Sequence, residues 1–232
     1  MARNLRKFAT VADYQSAQLI KPAVSLIEAT DGVFFDQKEV VPTFGGFTVK
    51  YNIEDPTVEV QLFNGGSSTS ESSSESGSGG GALPTRMIVD GNEETPISTW
   101  RFETAGEHIV QYEFGDNIIP AKFLFTNPIY TEVIVGDDIT EIGAEAFMES
   151  NNEGILTSAT IGTSIQSIGT QSFVGNVNMT SITIKATTPP TLNLKPFANT
   201  NDCPIYVPSA SVDAYKSATN WSSYASRIQA IQ

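Results

Sequence analysis

The 232-residue sequence predicts a mainly β protein. Its expected parts are a small N-terminal β domain, a Gly/Ser linker, a β-rich connecting segment and a short repeat solenoid closed by a helical C-terminal cap. Three observations carry the prediction. Short apolar runs alternate with polar residues and stop at Gly, Pro, Asn and Asp, which is strand and turn chemistry. Residues 65–81 contain no apolar side chain. Beyond them a strand, an Ile-Gly pair and a Phe recur every 23 to 26 residues, within the range of stacked repeats. The expected boundaries are 1–64, 65–81, 82–117 and 118–232.

Residues 1–64 begin with a basic tip, Arg3, Arg6 and Lys7, beside Tyr14, Leu19 and Ile20. These six residues are the expected contact with a partner; the alternative is a terminus without function. Val24-Ser-Leu-Ile27 and Val33-Phe-Phe35 flank Ala29-Thr-Asp-Gly32, and Asp-Gly is a strong hairpin signal. Phe47-Thr-Val-Lys-Tyr-Asn-Ile53 alternates, turns at Glu54-Asp-Pro56 and returns as Val58-Glu-Val-Gln-Leu-Phe63, a second expected hairpin. Pro22 and Pro42 punctuate the strands or mark edges. Four short strands make a marginal independent domain. A partner surface or self-association is therefore expected.

Gly65 to Gly81 is a run of Gly, Ser, Thr and Glu. It cannot offset the entropy of ordering itself and reads as a flexible tether. The alternative is an oversized loop inside one domain. The connecting segment 82–117 contains Gly106-Glu-His-Ile-Val-Gln-Tyr112, an expected strand that carries the only histidine, His108.

From residue 118 the chain repeats. Thr131-Glu-Val-Ile-Val135, Thr157-Ser-Ala-Thr-Ile161, Thr180-Ser-Ile-Thr-Ile184 and Cys203-Pro-Ile-Tyr-Val207 align as strands 26, 23 and 23 residues apart. Ile142-Gly-Ala-Glu-Ala-Phe147 matches Ile168-Gly-Thr-Gln-Ser-Phe173, with a degenerate Leu194-Lys-Pro-Phe197 and a fainter copy at Ile118 to Phe123. Each unit supplies a strand, a turn at Ile-Gly and a Phe that one unit alone cannot bury, so units stack. The expected repeat core is Ile142, Phe147, Ile161, Ile168, Phe173, Ile184 and Phe197. An ordinary sandwich with accidental similarity is the alternative. Pro189 and Pro190 forbid regular pairing beside them. At the end, Ser209 or Ser211 can cap a helix over Val212, Ala214, Tyr215 and Ala218. Trp221, Tyr224 and Ile228 are spaced three and four apart as an apolar stripe. The expected cap residues are Tyr215, Trp221, Tyr224 and Ile228; a ligand-binding aromatic box at Trp221 and Tyr224 is the alternative reading.

Composition limits the chemistry. Thirteen basic residues stand against 26 acidic ones, and residues 82–160 alone carry a net charge of −11. Nucleic-acid affinity draws on clustered Lys and Arg, so no nucleic-acid partner is expected. The acidity reads as a solvated surface or as a cation site at Asp137-Asp138, without the spacing of a calcium loop. One cysteine, Cys203, rules out an intrachain disulfide and a multi-cysteine zinc site, and it reads as a buried small apolar residue. No apolar run reaches the roughly 18 residues of a membrane span. The start has a basic end but no apolar stretch after it, so export by the general secretory route is not expected. No Gly-x-Ser-x-Gly or Gly-x-x-x-x-Gly-Lys occurs. Glu93-Glu94 is the one carboxylate pair weighed for glycosidase chemistry, in a turn-like acidic stretch. No catalytic residue, cofactor or metal ligand is assigned, and the chain is not expected to be an enzyme.

The pattern Ile-Gly-x-x-x-Phe followed by Leu156-Thr-Ser-Ala-Thr-Ile161 or Met179-Thr-Ser-Ile-Thr-Ile184 resembles the BspA-type leucine-rich repeats of Bacteroidetes and treponeme surface proteins. Ile205-Tyr-Val-Pro208, Ser211-Val-Asp-Ala-Tyr-Lys216, Trp221 and Tyr224-Ala-Ser-Arg-Ile-Gln-Ala-Ile231 resemble the C-terminal cap of Bacteroides members. Trp100 to Tyr112 resembles the β-segment that precedes such repeats, so the likeness covers about residues 88–232. The opening, Lys7-Phe-Ala-Thr-Val-Ala-Asp-Tyr14 and Leu19-Ile-Lys-Pro-Ala-Val-Ser-Leu-Ile-Glu-Ala29, looks like the N-terminal segment of virion proteins from Bacteroides-infecting phages, crAss-like phages included.

Together these likenesses imply a capsid-decorating head fibre. Residues 1–64 would be its capsid-attachment anchor, with Arg3, Arg6, Lys7, Tyr14, Leu19 and Ile20 against capsid protein. The repeats would be displayed for adhesion to host-surface or mucin glycan. The resemblance further implies a homotrimer, assembled in the host cytoplasm and located on the capsid surface of the virion. Such proteins leave by lysis and need no signal peptide. A bacterial cell-surface BspA-like adhesin is the alternative, and a glycan-processing enzyme relying on Glu93 or Glu94 is the third reading.

Overall fold

The computed structural model describes residues 7–8, 26–29, 34–36, 46–64, 83–125, 129–151 and 154–232. These are mainly β, with one short α-helix. Strands β1 (Lys7–Phe8), β2 (Leu26–Ala29) and β3 (Phe34–Asp36) form a three-stranded sheet. The β2–β3 pairing is antiparallel, with Glu28 opposite Phe34. That is the pairing expected on either side of Asp31-Gly32. Lys7 pairs through its backbone with Glu28. Arg3, Arg6, Tyr14, Leu19 and Ile20 lie outside the described residues.

The second expected hairpin is not formed. Strand β4 (Phe47–Ile53) runs antiparallel to both β9 (Gly106–Glu113) and β11 (Tyr130–Val135). The returning strand β5 (Val60–Gln61) pairs instead with β8 (Thr99–Trp100). The turn after β4 is real: Asp55 Oδ1 accepts from the backbone N–H and the hydroxyl of Thr57. The cause of the difference is burial. Phe47, Val49, Tyr51 and Ile53 all point into the core, and a lone two-stranded ribbon leaves such a face in water. The Tyr51 and Tyr112 hydroxyls lie 3.1 Å apart, and both donate to the Leu62 carbonyl.

This placement corrects the boundary expected at residue 64. Phe47–Ile53 belongs to the same sheet as strands of the second half, Val60–Gln61 pairs with Thr99–Trp100, and Asn64 N–H donates to Phe123 O at 2.8 Å. The Gly/Ser tract therefore joins two points of one body, as in the oversized-loop reading. The tract itself lies outside the described residues.

Among the described residues the main sheet has nine strands, with β11, β4 and β9 side by side in its middle. Strands β6 (Arg86–Val89) and β7 (Asn92–Glu94) complete its antiparallel side. The other side is parallel: β13 (Ser158–Ile161), β15 (Ser181–Ile184), β17 (Ile205–Val207) and β18 (Ile228–Ala230) continue from β11. Val133, Ala159, Ile182, Ile205 and Ile228 are in register and buried. A second parallel sheet stacks β10 (Ile118–Ile119), β12 (Glu141–Ile142), β14 (Ser167–Ile168) and β16 (Thr191–Leu192). Its inward positions are Ile119, Ile142, Ile168 and Leu192. The faint first copy at 118–123 is thus a full member of the ladder. Thr191 pairs directly after Pro190, so the two prolines delay pairing without preventing it.

Between the two ladders the rings stack. Phe147 and Phe173 have centroids 5.0 Å apart, Phe173 and Phe197 5.8 Å, and Phe197 and Trp221 5.9 Å. The Ile-Gly pair has a different role from the expected turn. A Cβ on Gly143 would lie 2.4 Å from Ala121 N, and one on Gly169 would lie 2.5 Å from Gly143 C. These glycines let consecutive coils approach. The left-handed residue comes two positions later, at Lys122, Glu145, Gln171 and Lys195 in successive coils.

The cap is only partly helical. Helix α1 (Val212–Ser217) buries Tyr215, whose hydroxyl donates to Ala186 O. Ser211 holds the N-cap position but its hydroxyl donates to Thr187 O rather than to the helix. Trp221 and Tyr224 lie on a 3-10 turn, and Ile228 is in β18. The expected three-four stripe is therefore a turn followed by one more strand of the ladder.

Candidate functional site: a cleft at the capped end

Where the last repeat meets the cap, an open cleft of about 600 Å³ is lined by Lys195, Asn199, Asp202, Tyr224, Arg227 and Gln229, among others. Arg227 builds it. Its Nε donates to Cys203 O at 2.8 Å, Nη1 to Phe197 O at 3.2 Å and Nη2 to Thr200 Oγ1 at 2.9 Å. The first two bonds satisfy last-coil carbonyls and the third holds a threonine hydroxyl of the same coil. The guanidinium lies 5.5 Å from the centre of the Tyr224 ring, and that ring meets Phe197 edge-on at 5.6 Å. Tyr224 is half-buried, and burial pushes its hydroxyl pKa up. Arg227 Nη1 stands 4.0 Å from the exposed Asp202 carboxylate. An aromatic edge ringed by amide, carboxylate, ammonium and hydroxyl groups suits a polyhydroxylated ligand, which offers C–H faces and many hydroxyls.

A polar row leads to this cleft across the outer face of the main sheet. Thr160, Thr183, Tyr206 and Gln229 are register partners on four neighbouring strands; the same register continues through the apolar Ile134 to Thr48 and the buried Gln111. One row nearer the strand starts, Lys50 Nζ and Glu132 form an ion pair at 2.7 Å. That contact raises the Lys50 pKa.

The expected repeat-core residues Ile142, Phe147, Ile161, Ile168, Phe173, Ile184 and Phe197 are all fully buried, and of these Phe197 lines the cleft. Tyr215, Trp221 and Ile228 are buried too, and Trp221 Nε1 donates to Pro190 O at 2.8 Å. Of the two residues of the aromatic-box reading, only Tyr224 reaches the cleft. Sequence reasoning missed Arg227, Asn199 and Lys195. The available signal was Arg227: one repeat earlier the same place is held by Pro204, two earlier by Ser181.

The remaining candidates have structural partners. His108 Nδ1 stands 2.7 Å from Asp90 Oδ2 and Nε2 2.9 Å from Thr104 O, with the ring 4.3 Å from that of Phe102. Glu93 pairs with Arg86 on the edge strand β7. Asp137 accepts from Thr163 N–H and Asp138 from Gly46 N–H, so both fasten neighbouring turns. Cys203 is buried, and burial pushes its thiol pKa up. Among the described residues no three His, Cys, Asp or Glu side chains converge on one point, and no helix is long and apolar enough to cross a membrane. Comparison of the chain with protein-family models finds no match, and comparison with curated proteins finds none either.

Proposed function

We propose that this chain is a structural and adhesive protein, a capsid-decorating phage head fibre. The N-terminal region before residue 46 attaches to capsid protein through Arg3, Arg6, Lys7, Tyr14, Leu19 and Ile20. The body from residue 46 onward carries, over residues 118–232, a short BspA-like leucine-rich-repeat solenoid with its cap, displayed for adhesion to host-surface or mucin glycan. Three copies associate into the fibre on the virion surface.

The observation that carries this reading is the polar row Thr160, Thr183, Tyr206 and Gln229, which crosses four strands and ends at the Tyr224 cleft. A broad hydroxyl- and amide-bearing face is suited to holding an extended, hydroxylated polymer through many weak contacts.

Two measurements on the full-length chain test the reading. Native mass is expected to be that of a trimer; a monomer removes the fibre. Binding to arrayed host and mucin glycans is expected and should fall at least tenfold in Tyr224→Ala. Full-strength binding by that variant displaces the cleft from the adhesive role. Recovery of the chain with the bacterial envelope rather than with virions would favour the surface-adhesin alternative.

A further inference from the structure

The strongest unassigned chemistry lies between the coil of Phe147 and the coil of Phe173. Glu149 is 3% exposed, and its N–H is bonded to Val174 O at 2.8 Å. Its Oε1 accepts from Asn151 N–H at 2.8 Å. No described protein group donates to Oε2, and no described cation pairs with this carboxylate. Asn176, 1% exposed, donates through Nδ2 to Phe147 O at 2.8 Å and Phe173 O at 2.9 Å. Those two bonds fix the amide, and its Oδ1 has no protein donor. The buried Ser172 hydroxyl on the same coil as Phe173 is also without a protein partner.

The carboxylate and the amide oxygen share one neighbourhood. A Cβ built on Gly154 would lie 3.0 Å from Asn176 Oδ1 and 3.0 Å from Glu149 Cγ. The two side chains therefore flank the same glycine. As a carboxylate, Glu149 cannot satisfy the amide oxygen, because both groups then only accept. Burying a carboxylate without a counter-charge costs several kcal/mol. Carboxylate and amide oxygens, without nitrogen or sulfur, are the ligand chemistry of a hard cation.

We propose that Glu149 Oε2 and Asn176 Oδ1 bind a calcium ion that ties the Phe147 coil to the Phe173 coil. One carboxylate places the site in the weak class, with Kd about 10⁻⁴ to 10⁻³ M. A trapped water donating to both oxygens is the competing occupant, and it leaves the charge uncompensated.

Thermal unfolding of the full-length chain in CaCl₂, against NaCl at matched ionic strength, separates the two. At ten times Kd the midpoint is expected to rise by about 3 to 6 °C. Glu149→Gln is expected to abolish that rise. No calcium-dependent shift up to about 10 mM, ten times the weak limit of the class, overturns the proposal. So does an equal shift in Glu149→Gln, which would assign the effect to exposed carboxylates. If that variant fails to fold, TbCl₃ luminescence excited through tyrosine decides on the unaltered chain. A single saturable site displaced by CaCl₂ is expected, and its absence overturns the proposal.

Discussion

Replacing Phe173 with alanine takes an inner ring out of a column of four. Phe173 is fully buried between Phe147 at 5.0 Å and Phe197 at 5.8 Å. A buried Phe→Ala change costs about 3–5 kcal/mol, more where the surroundings cannot collapse. Here collapse is opposed. The coils on both sides are held by backbone ladders, Phe147 N–H to Ser172 O at 2.8 Å and Phe173 N–H to Pro196 O at 2.9 Å. Two ring contacts are lost together, each worth about 0.5–1.5 kcal/mol beyond area. The expected loss is therefore at the upper end, about 4–5 kcal/mol, a large share of a stability of about 5–15 kcal/mol. Urea unfolding followed by tryptophan fluorescence measures it, because Trp221 ends the same column. Phe173→Leu keeps most of the volume and should lose under about 2 kcal/mol. A double cycle of Phe173→Leu with Phe147→Leu should show coupling of about 0.5–1.5 kcal/mol. A Phe173→Ala loss below about 1.5 kcal/mol, or zero coupling, would refute the stacked column as a source of stability.

Gly169→Ala drives a methyl to within 2.5 Å of the Gly143 backbone, so the coils must part; a loss of about 1–3 kcal/mol in the same urea assay is expected. Cys203 is buried with its thiol pKa raised, so iodoacetamide at pH 8 should label the folded chain far more slowly than the urea-unfolded chain. Burial also raises the hydroxyl pKa of Tyr51, Tyr112, Tyr130 and Tyr215. Their neutral forms stabilise the fold fully below the ordinary tyrosine pKa, about 10. That stability is lost as pH rises above it, because the unfolded chain ionises first. Phenolate absorbance at 295 nm should accordingly show these four ionising together with unfolding, and independent titration near pH 10 would contradict their burial.

The stacked units were legible because Ile142-Gly and Phe147 recur as Ile168-Gly and Phe173, and each of these residues meets its own copy. The partner of β4 was not legible. Alternation at Phe47, Val49, Tyr51 and Ile53 states that one face is buried, and says nothing about which strand lies alongside. The nearest strand in sequence was the reasonable choice, yet β9 and β11 pair with the two edges of β4 and set its apolar face in the wide sheet over the shared core. Composition likewise established that Gly65 to Gly81 would not build a core, but not that its ends return to one body. At the end of the chain, the spacing of Trp221, Tyr224 and Ile228 fits a helical stripe. It fits equally a turn followed by a strand, and the 23-residue interval from Ile205 to Ile228 was the better guide. The cleft was hidden because its organiser, Arg227, is a single departure from a pattern of small residues and proline.

The 23-residue interval also bears on how such a chain can change length by recombination. Ala159, Ile182, Ile205 and Ile228 occupy one row at equal steps. Loss of a whole unit from Ala159 to Ser181 would bring Ile182 beside Val133 and leave both parallel seams with a full set of partners. Loss of one residue inside a strand would instead turn every following side chain to the opposite face. In-frame gain or loss of a unit is therefore the tolerated genetic step, and the body's length is inherited in whole coils. The cap need not be rebuilt on such a change, because β18 docks on β17, the strand encoded just before it.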